Sequence, residues 1–159
     1  MRSLRVLLLA DTHIGFDATA SQRVKRRRRG PDFLANLSRA LEPALRREVD
    51  LVIHGGDYFH RPEVPDAIVR DGYRPLLAVA DAGVPVCVVP GNHERSRMPL
   101  PLLLEHPEIR VFDRPRAFSL RASGHQVQVF GFPCVRNVAE RGISSLFAGV
   151  PVDLSLIHI

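Results

Sequence analysis

Two textures alternate along the first hundred residues: short uninterrupted apolar runs, and longer stretches where apolar residues return every third or fourth position. Residues 6–10 form the first run and read as a buried strand. Residues 32–47 carry helical spacing, with Phe33, Leu34, Leu37, Leu41 and Leu45 on one stripe and Pro31-Asp32 suited to a helix start. Pro43 predicts a kink or an early end to that helix. Residues 51–54 are a second strand, stopped by Gly55-Gly56. Residues 65–81 read as a second helix, interrupted by Pro75, with Ile68, Val69, Leu76, Leu77 and Ala80 inward and Gly83 as its stop. Residues 86–89 form a third strand, ended by Pro90-Gly91. Strands separated by helix-length segments predict α/β architecture with a largely parallel sheet.

The pattern changes after Met98. Residues 100–104 fit a short helix and residues 109–112 a short strand. Residues 117–121 and 126–132 fit a hairpin with Ser123-Gly124 at its turn, and residues 137–147 a further helix. No internal repeat or long linker breaks the chain, so one domain is expected over residues 1–153. Residues 154–159 (Leu-Ser-Leu-Ile-His-Ile) can be spelled, codon for codon, by a transposon-end adapter used in sequencing libraries. They are read as an adapter scar.

Composition narrows the class. With 159 residues, 45% apolar and 25% charged, the chain is neither collagen-like nor intrinsically disordered. No apolar run approaches the roughly 18 residues a membrane helix needs. The N-terminal run is too short for a secretory signal and leads into Asp11-Thr12-His13 without a small-residue cleavage pattern, so a cytoplasmic protein is expected. Cys87 and Cys134, far apart and inside apolar runs, are expected to be buried hydrophobes in a reducing compartment. The net charge of +5 is almost wholly arginine, Lys25 being the single lysine. Guanidinium suits phosphate, and the run Arg26-Arg27-Arg28-Arg29 is a candidate contact to a nucleic-acid backbone, or else a solvated loop.

Three polar clusters each follow directly on a strand: Asp11-Thr12-His13, Gly55-Gly56-Asp57 and Gly91-Asn92-His93-Glu94. In an open α/β sheet the carboxyl ends of parallel strands share one edge, where ligands bind. Two Asp, one Asn and two His are thereby delivered to one place. Carboxylate, amide oxygen and imidazole form a hard-to-borderline donor set, suited to manganese, iron or zinc. The glycines let the backbone turn where a Cβ would obstruct close approach.

These three motifs resemble the first signatures of the calcineurin-like metallophosphoesterases, and most closely the SbcD-type DNA-repair exonucleases. Gly55-Gly56-Asp57-Tyr58-Phe59-His60-Arg61-Pro62 and Arg28-Arg29-Gly30-Pro31-Asp32-Phe33 are similar to segments of that branch. The resemblance covers roughly residues 4–132 and implies a fold of two packed sheets flanked by helices, of which this chain supplies the N-terminal part. It implies two divalent ions, most simply manganese, with Asp11 and His13 at one, Asn92 at the other and Asp57 bridging both. It implies that His93 faces the substrate and protonates the departing oxygen, with His60 a candidate for aligning the phosphate. The implied substrate is DNA, and the implied partners are a second copy and an SbcC-like coiled-coil ATPase, with no membrane. The family completes its site with further histidines downstream. His158 stands near the place of the first, inside the suspected scar, and weak metal binding and little activity are therefore expected.

Two rivals accompany this reading. One is the same chemistry on a small phosphate ester or nucleotide, and the other a binding module that keeps the fold without catalysis. Glu94, where the family more often has Asp, and Tyr58, where an aliphatic residue is usual, are minor departures. His54 is expected to be a packed supporting residue, His106 a helix-end residue before Pro107, and His125 a residue of the hairpin turn.

Overall fold

A computed structural model describes residues 3–16, 30–93, 103, 105–134 and 142. Its first four strands, β1 (Val6–Leu9), β2 (Leu51–His54), β3 (Val86–Val88) and β4 (Ile109–Val111), form a parallel sheet in the order β1-β2-β3-β4. The registers are Val6 opposite Leu51, Val52 opposite Val86, and Val86 opposite Ile109. Helix α1 (Gly30–Leu45) links β1 to β2, and α2 (Asp66–Asp81) links β2 to β3. Strand order advances in one direction, so two right-handed crossovers lay both helices on the same face.

The two-residue period of a strand then sorts the side chains. Leu7, Leu9, Val52, Val86, Val88, Ile109 and Val111 join Leu37, Leu41 and Ala44 of α1 and Val69, Tyr73, Leu76, Val79 and Ala80 of α2 in one core. Val6, Leu51, Ile53, Cys87 and Val89 point the other way, onto Phe112. That face is covered by β5 (Arg116–Ala122) and β6 (His125–Gly131), an antiparallel hairpin contributing Phe118, Leu120, Val127 and Val129. The result is a mixed α/β fold in three layers: helices, parallel sheet, second sheet. The helix expected at residues 137–147 lies outside the described residues apart from Gly142, which is not helical, as do most of residues 100–104, of which Leu103 is helical and buried.

Several expectations are corrected. Pro43 and Pro75 lie inside their helices: α1 ends at Leu45, two residues after Pro43 and short of the expected 47, whereas α2 runs on past Pro75 to Asp81. The carbonyls that lose their partners belong to Arg39 and Asp71, both exposed residues at which solvent is available. Leu45 is exposed, and Ala44 takes the buried place at the end of the stripe. His125 opens β6 rather than sitting in the turn, which Ser123 (φ 50°) and Gly124 (φ 78°) make alone. Cys134 is exposed because the chain leaves the sheet after Gly131, its N–H donating to the Pro90 carbonyl at 3.2 Å. No described helix is long and apolar enough to cross a membrane.

Candidate metal centre

The tips of β1, β2 and β3 share one sheet edge, and the segments leaving them are stitched together by backbone bonds. Asp11 N–H donates to the Gly56 carbonyl at 3.0 Å, His13 N–H to Asp57 at 3.0 Å and Ile14 N–H to Tyr58 at 2.8 Å. A parallel bridge between Ile14 and Phe59 extends this pairing. Asp11, His13 and Asp57 all adopt positive φ (56°, 42° and 52°). Side chains disfavour that region by roughly 1–2 kcal/mol each, and the surrounding hydrogen bonds hold them there. Strain of this kind, at three residues of one small site, is characteristic of a functional centre.

Asp57 is at the middle. Its side chain is 14% exposed against 72% for Asp11, so its carboxylate is the sheltered one. Oδ1 accepts the His93 backbone N–H at 3.1 Å, and His93 Nε2 lies 4.0 Å from Oδ2. The close approach of the third loop depends on Gly91: a Cβ there would overlap both the backbone nitrogen and the carboxylate of Asp57. Gly56, at φ 120°, faces Gly91 from the other side, its own Cβ position 3.1 Å from the Gly91 Cα.

Asn92 abuts the Asp57 carboxylate. With its amide nitrogen turned inward it donates to Oδ2 at 3.0 Å and Oδ1 at 3.2 Å. With its oxygen inward, two acceptors face one another, an arrangement a cation between them satisfies. Asp11, His13 and Asp57 bring ligand atoms within 4.8 Å of one another. His13 Nδ1 is buried with no hydrogen-bond partner. These observations fit a divalent-ion site with carboxylate, imidazole and amide donors. A shallow cavity of about 250 Å³ opens beside it, lined by Asp11, Asp57, Asn92 and the Phe132-Pro133-Cys134 segment.

The histidines divide into two groups. His13, His60 and His93 cluster at the edge. His93 Nδ1 donates to the His60 carbonyl at 2.9 Å, which leaves Nε2 free toward the site. The Phe16 ring packs edge-on against His60 at 4.6 Å. Partial burial, then the neighbouring His13, His93 and Arg61, lower the His60 pKa below its ordinary value. His54 is buried beneath the loops. Thr12 Oγ1 donates to the Tyr58 carbonyl at 3.1 Å, so His54 Nε2–H donates to Thr12 Oγ1, also at 3.1 Å, and His54 Nδ1 accepts Gly56 N–H at 3.4 Å. Burial lowers the His54 pKa to about 4, the Asp57 charge opposing, and it is neutral at physiological pH.

The structure thus brings Asp11, His13, Asp57, Asn92, His93 and His60 together. Arg26, Arg27, Arg28, Arg29 and His158 lie outside the described residues. His106 lies apart, bonded to Asp81 Oδ1 at 3.1 Å and to the Glu108 N–H at 3.1 Å. Two contributors carry little signal in the sequence: Thr12, the unspecified middle of Asp-x-His, and Phe16, an aromatic in a loop.

A model of the family described as calcineurin-like phosphoesterase matches residues 4–157. The chain is 38% identical over 95 residues to the DNA double-strand break repair protein Mre11 of Haloferax volcanii, covering 58% of this chain and 20% of that protein. It is 25% identical over 154 residues to the Mre11 of Sulfurisphaera tokodaii, covering 93% of this chain and 38% of that protein. The chain therefore spans between a fifth and two-fifths of the length of these relatives. Among solved structures, it is similar to a dimetal phosphatase from Danio rerio, with 24% identity and a TM-score of 0.45 over 65% of this chain and 34% of that one.

Proposed function

This chain belongs to the calcineurin-like phosphoesterase family, and we propose that it is the metal-binding part of a DNA-repair nuclease that hydrolyses phosphodiester bonds with two divalent ions. The observation that carries the proposal is the convergence of three strand tips on the sheltered Asp57 carboxylate, with Asp11, His13 and Asn92 around it. Manganese matches the mixture of oxygen and imidazole donors. DNA as the substrate rests on the break-repair role in the names of the Haloferax and Sulfurisphaera relatives and on the arginine-rich charge. A second copy and an SbcC-like coiled-coil ATPase are the partners this reading entails, in the cytoplasm.

Asp11 and His13 would hold one ion and Asn92 the other, with Asp57 shared between them. Divalent ions bound there would supply charge stabilisation at the phosphoryl oxygens and make water nucleophilic near neutral pH. The protein's own contribution is placement. The His93 Nδ1–H bond to the His60 carbonyl aims Nε2 outward; in the imidazolium form, with both ring nitrogens protonated, the ring gives its Nε2 proton to the departing oxygen as general acid and is left neutral. His60, beside it and walled by Phe16, steadies the phosphoryl group. Arg26–Arg29 would contact the DNA backbone.

The test is hydrolysis of end-labelled duplex DNA and of a phosphodiester dye with excess manganese. Slow turnover is expected, abolished by a chelator and by Asp57→Asn. Turnover indifferent to chelation overturns the metal mechanism, as does calorimetry showing no manganese binding. A preference for small esters over DNA overturns the nuclease assignment.

A further inference from the structure

Loops leaving three different strands bring His13, His60 and His93 into one cluster, their ligand nitrogens within 4.8 Å of one another. The ring centroids are 4.8 Å apart for His13–His93, 5.6 Å for His60–His93 and 5.7 Å for His13–His60. We infer that these three imidazoles form a mononuclear zinc site, distinct from the Asp57-centred set and mutually exclusive with it because His13 belongs to both.

Donor chemistry separates the two sets. The Asp57 set is rich in oxygen, whereas the second has only imidazole nitrogens, a composition that favours zinc over manganese and leaves a fourth position for water. His93 is already arranged as a metal-bound histidine is: Nδ1–H donates to the His60 carbonyl at 2.9 Å, which fixes the tautomer and leaves the Nε2 lone pair for an ion. His13 has a buried Nδ1 with no hydrogen-bond partner, while its Nε2 lies 3.8 Å from Asp11 Oδ1. His13 meets His60 and His93 edge-on, at 72° and 74°, so ring edges rather than faces approach. Tetrahedral zinc, with Zn–N about 2.0–2.1 Å, places its ligand nitrogens roughly 3.4 Å apart. The ligand nitrogens, within 4.8 Å of one another, must close to that separation by ring rotation at the half-buried His60 and His93.

Zinc at this site would withdraw His13 from the Asp57-centred set and engage the His93 nitrogen that faces substrate. Zinc would therefore suppress manganese-dependent hydrolysis, a consequence that rests on the proposed function. The binding site itself does not.

The experiment is metal binding by the intact chain, with cobalt as the optical stand-in for zinc and manganese followed by calorimetry. His60→Ala is expected to weaken cobalt and zinc binding on the order of 100-fold while manganese binding stays at the wild-type level. Asp57→Asn is expected to do the reverse. In the unmutated chain, zinc should shift the imidazole NMR resonances of His13, His60 and His93 and leave those of His54 in place, a readout that needs no variant to fold. Zinc affinity unmoved by His60→Ala overturns the inference, and so does zinc binding lost with Asp57→Asn. Failure of hydrolysis with these binding results intact would instead count against the proposed function alone.

Discussion

The centre depends on single atoms at a few residues. Gly91 is the plainest case, because any Cβ there enters the space of the Asp57 carboxylate and backbone nitrogen. Gly91→Ala is expected to lower stability by about 1–3 kcal/mol and to abolish manganese binding, as read by urea unfolding and calorimetry. His54 shows the opposite economy, a polar residue buried because every ring nitrogen has a partner. The folded chain keeps it neutral down to about pH 4, whereas the unfolded chain protonates it near the ordinary histidine value of 6.5. Its contribution is therefore present above pH 6.5 and lost as pH falls toward 4. A decline of about 2 kcal/mol between pH 7 and pH 5 is expected from this group. In His54→Asn that component of the pH dependence should vanish from unfolding curves. An unchanged slope would show that His54 titrates freely in the fold.

Among the elements, the hairpin is the one most open to improvement. Ser123 and Gly124 both sit at positive φ, the geometry of a two-residue turn that prefers Asn-Gly. Ser123→Asn should raise stability by about 0.5 kcal/mol, seen as a higher thermal midpoint. Docking of the same hairpin turns on Gly131, whose Cβ would lie 2.6 Å from the fully buried Phe112 ring. Gly131→Ala is expected to destabilise by about 1–3 kcal/mol, with loss of near-ultraviolet aromatic signal as Phe112 repacks.

For the molecule as a whole, ligand binding and folding are linked. The strained Asp11-to-Ile14 and Gly55-to-His60 segments approach one another only in the folded chain, so an ion held between them stabilises that state. Saturating manganese at about 100 times its dissociation constant should add about 2.7 kcal/mol, visible as a thermal shift absent in Asp57→Asn. Equal shifts in both proteins would place the ion elsewhere.

The hydrophobic period alone determined the strand–helix alternation, both helices to within two residues of their limits, the parallel sheet, and the expectation that Asp11, Asp57 and Asn92 share an edge. Those are local or topological facts, set by which residues must leave water and by the handedness of crossovers. The tertiary structure decided what periodicity does not encode: which loop atoms touch, that Thr12 and His54 knit two strand ends together, that Phe16 walls His60, and that Cys134 turns outward. It also set the His60 ring against His13 and His93, which the sequence already placed at that edge. Contacts between loops depend on the relative placement of whole strands at ångström precision, and no pattern within a single segment carries that information.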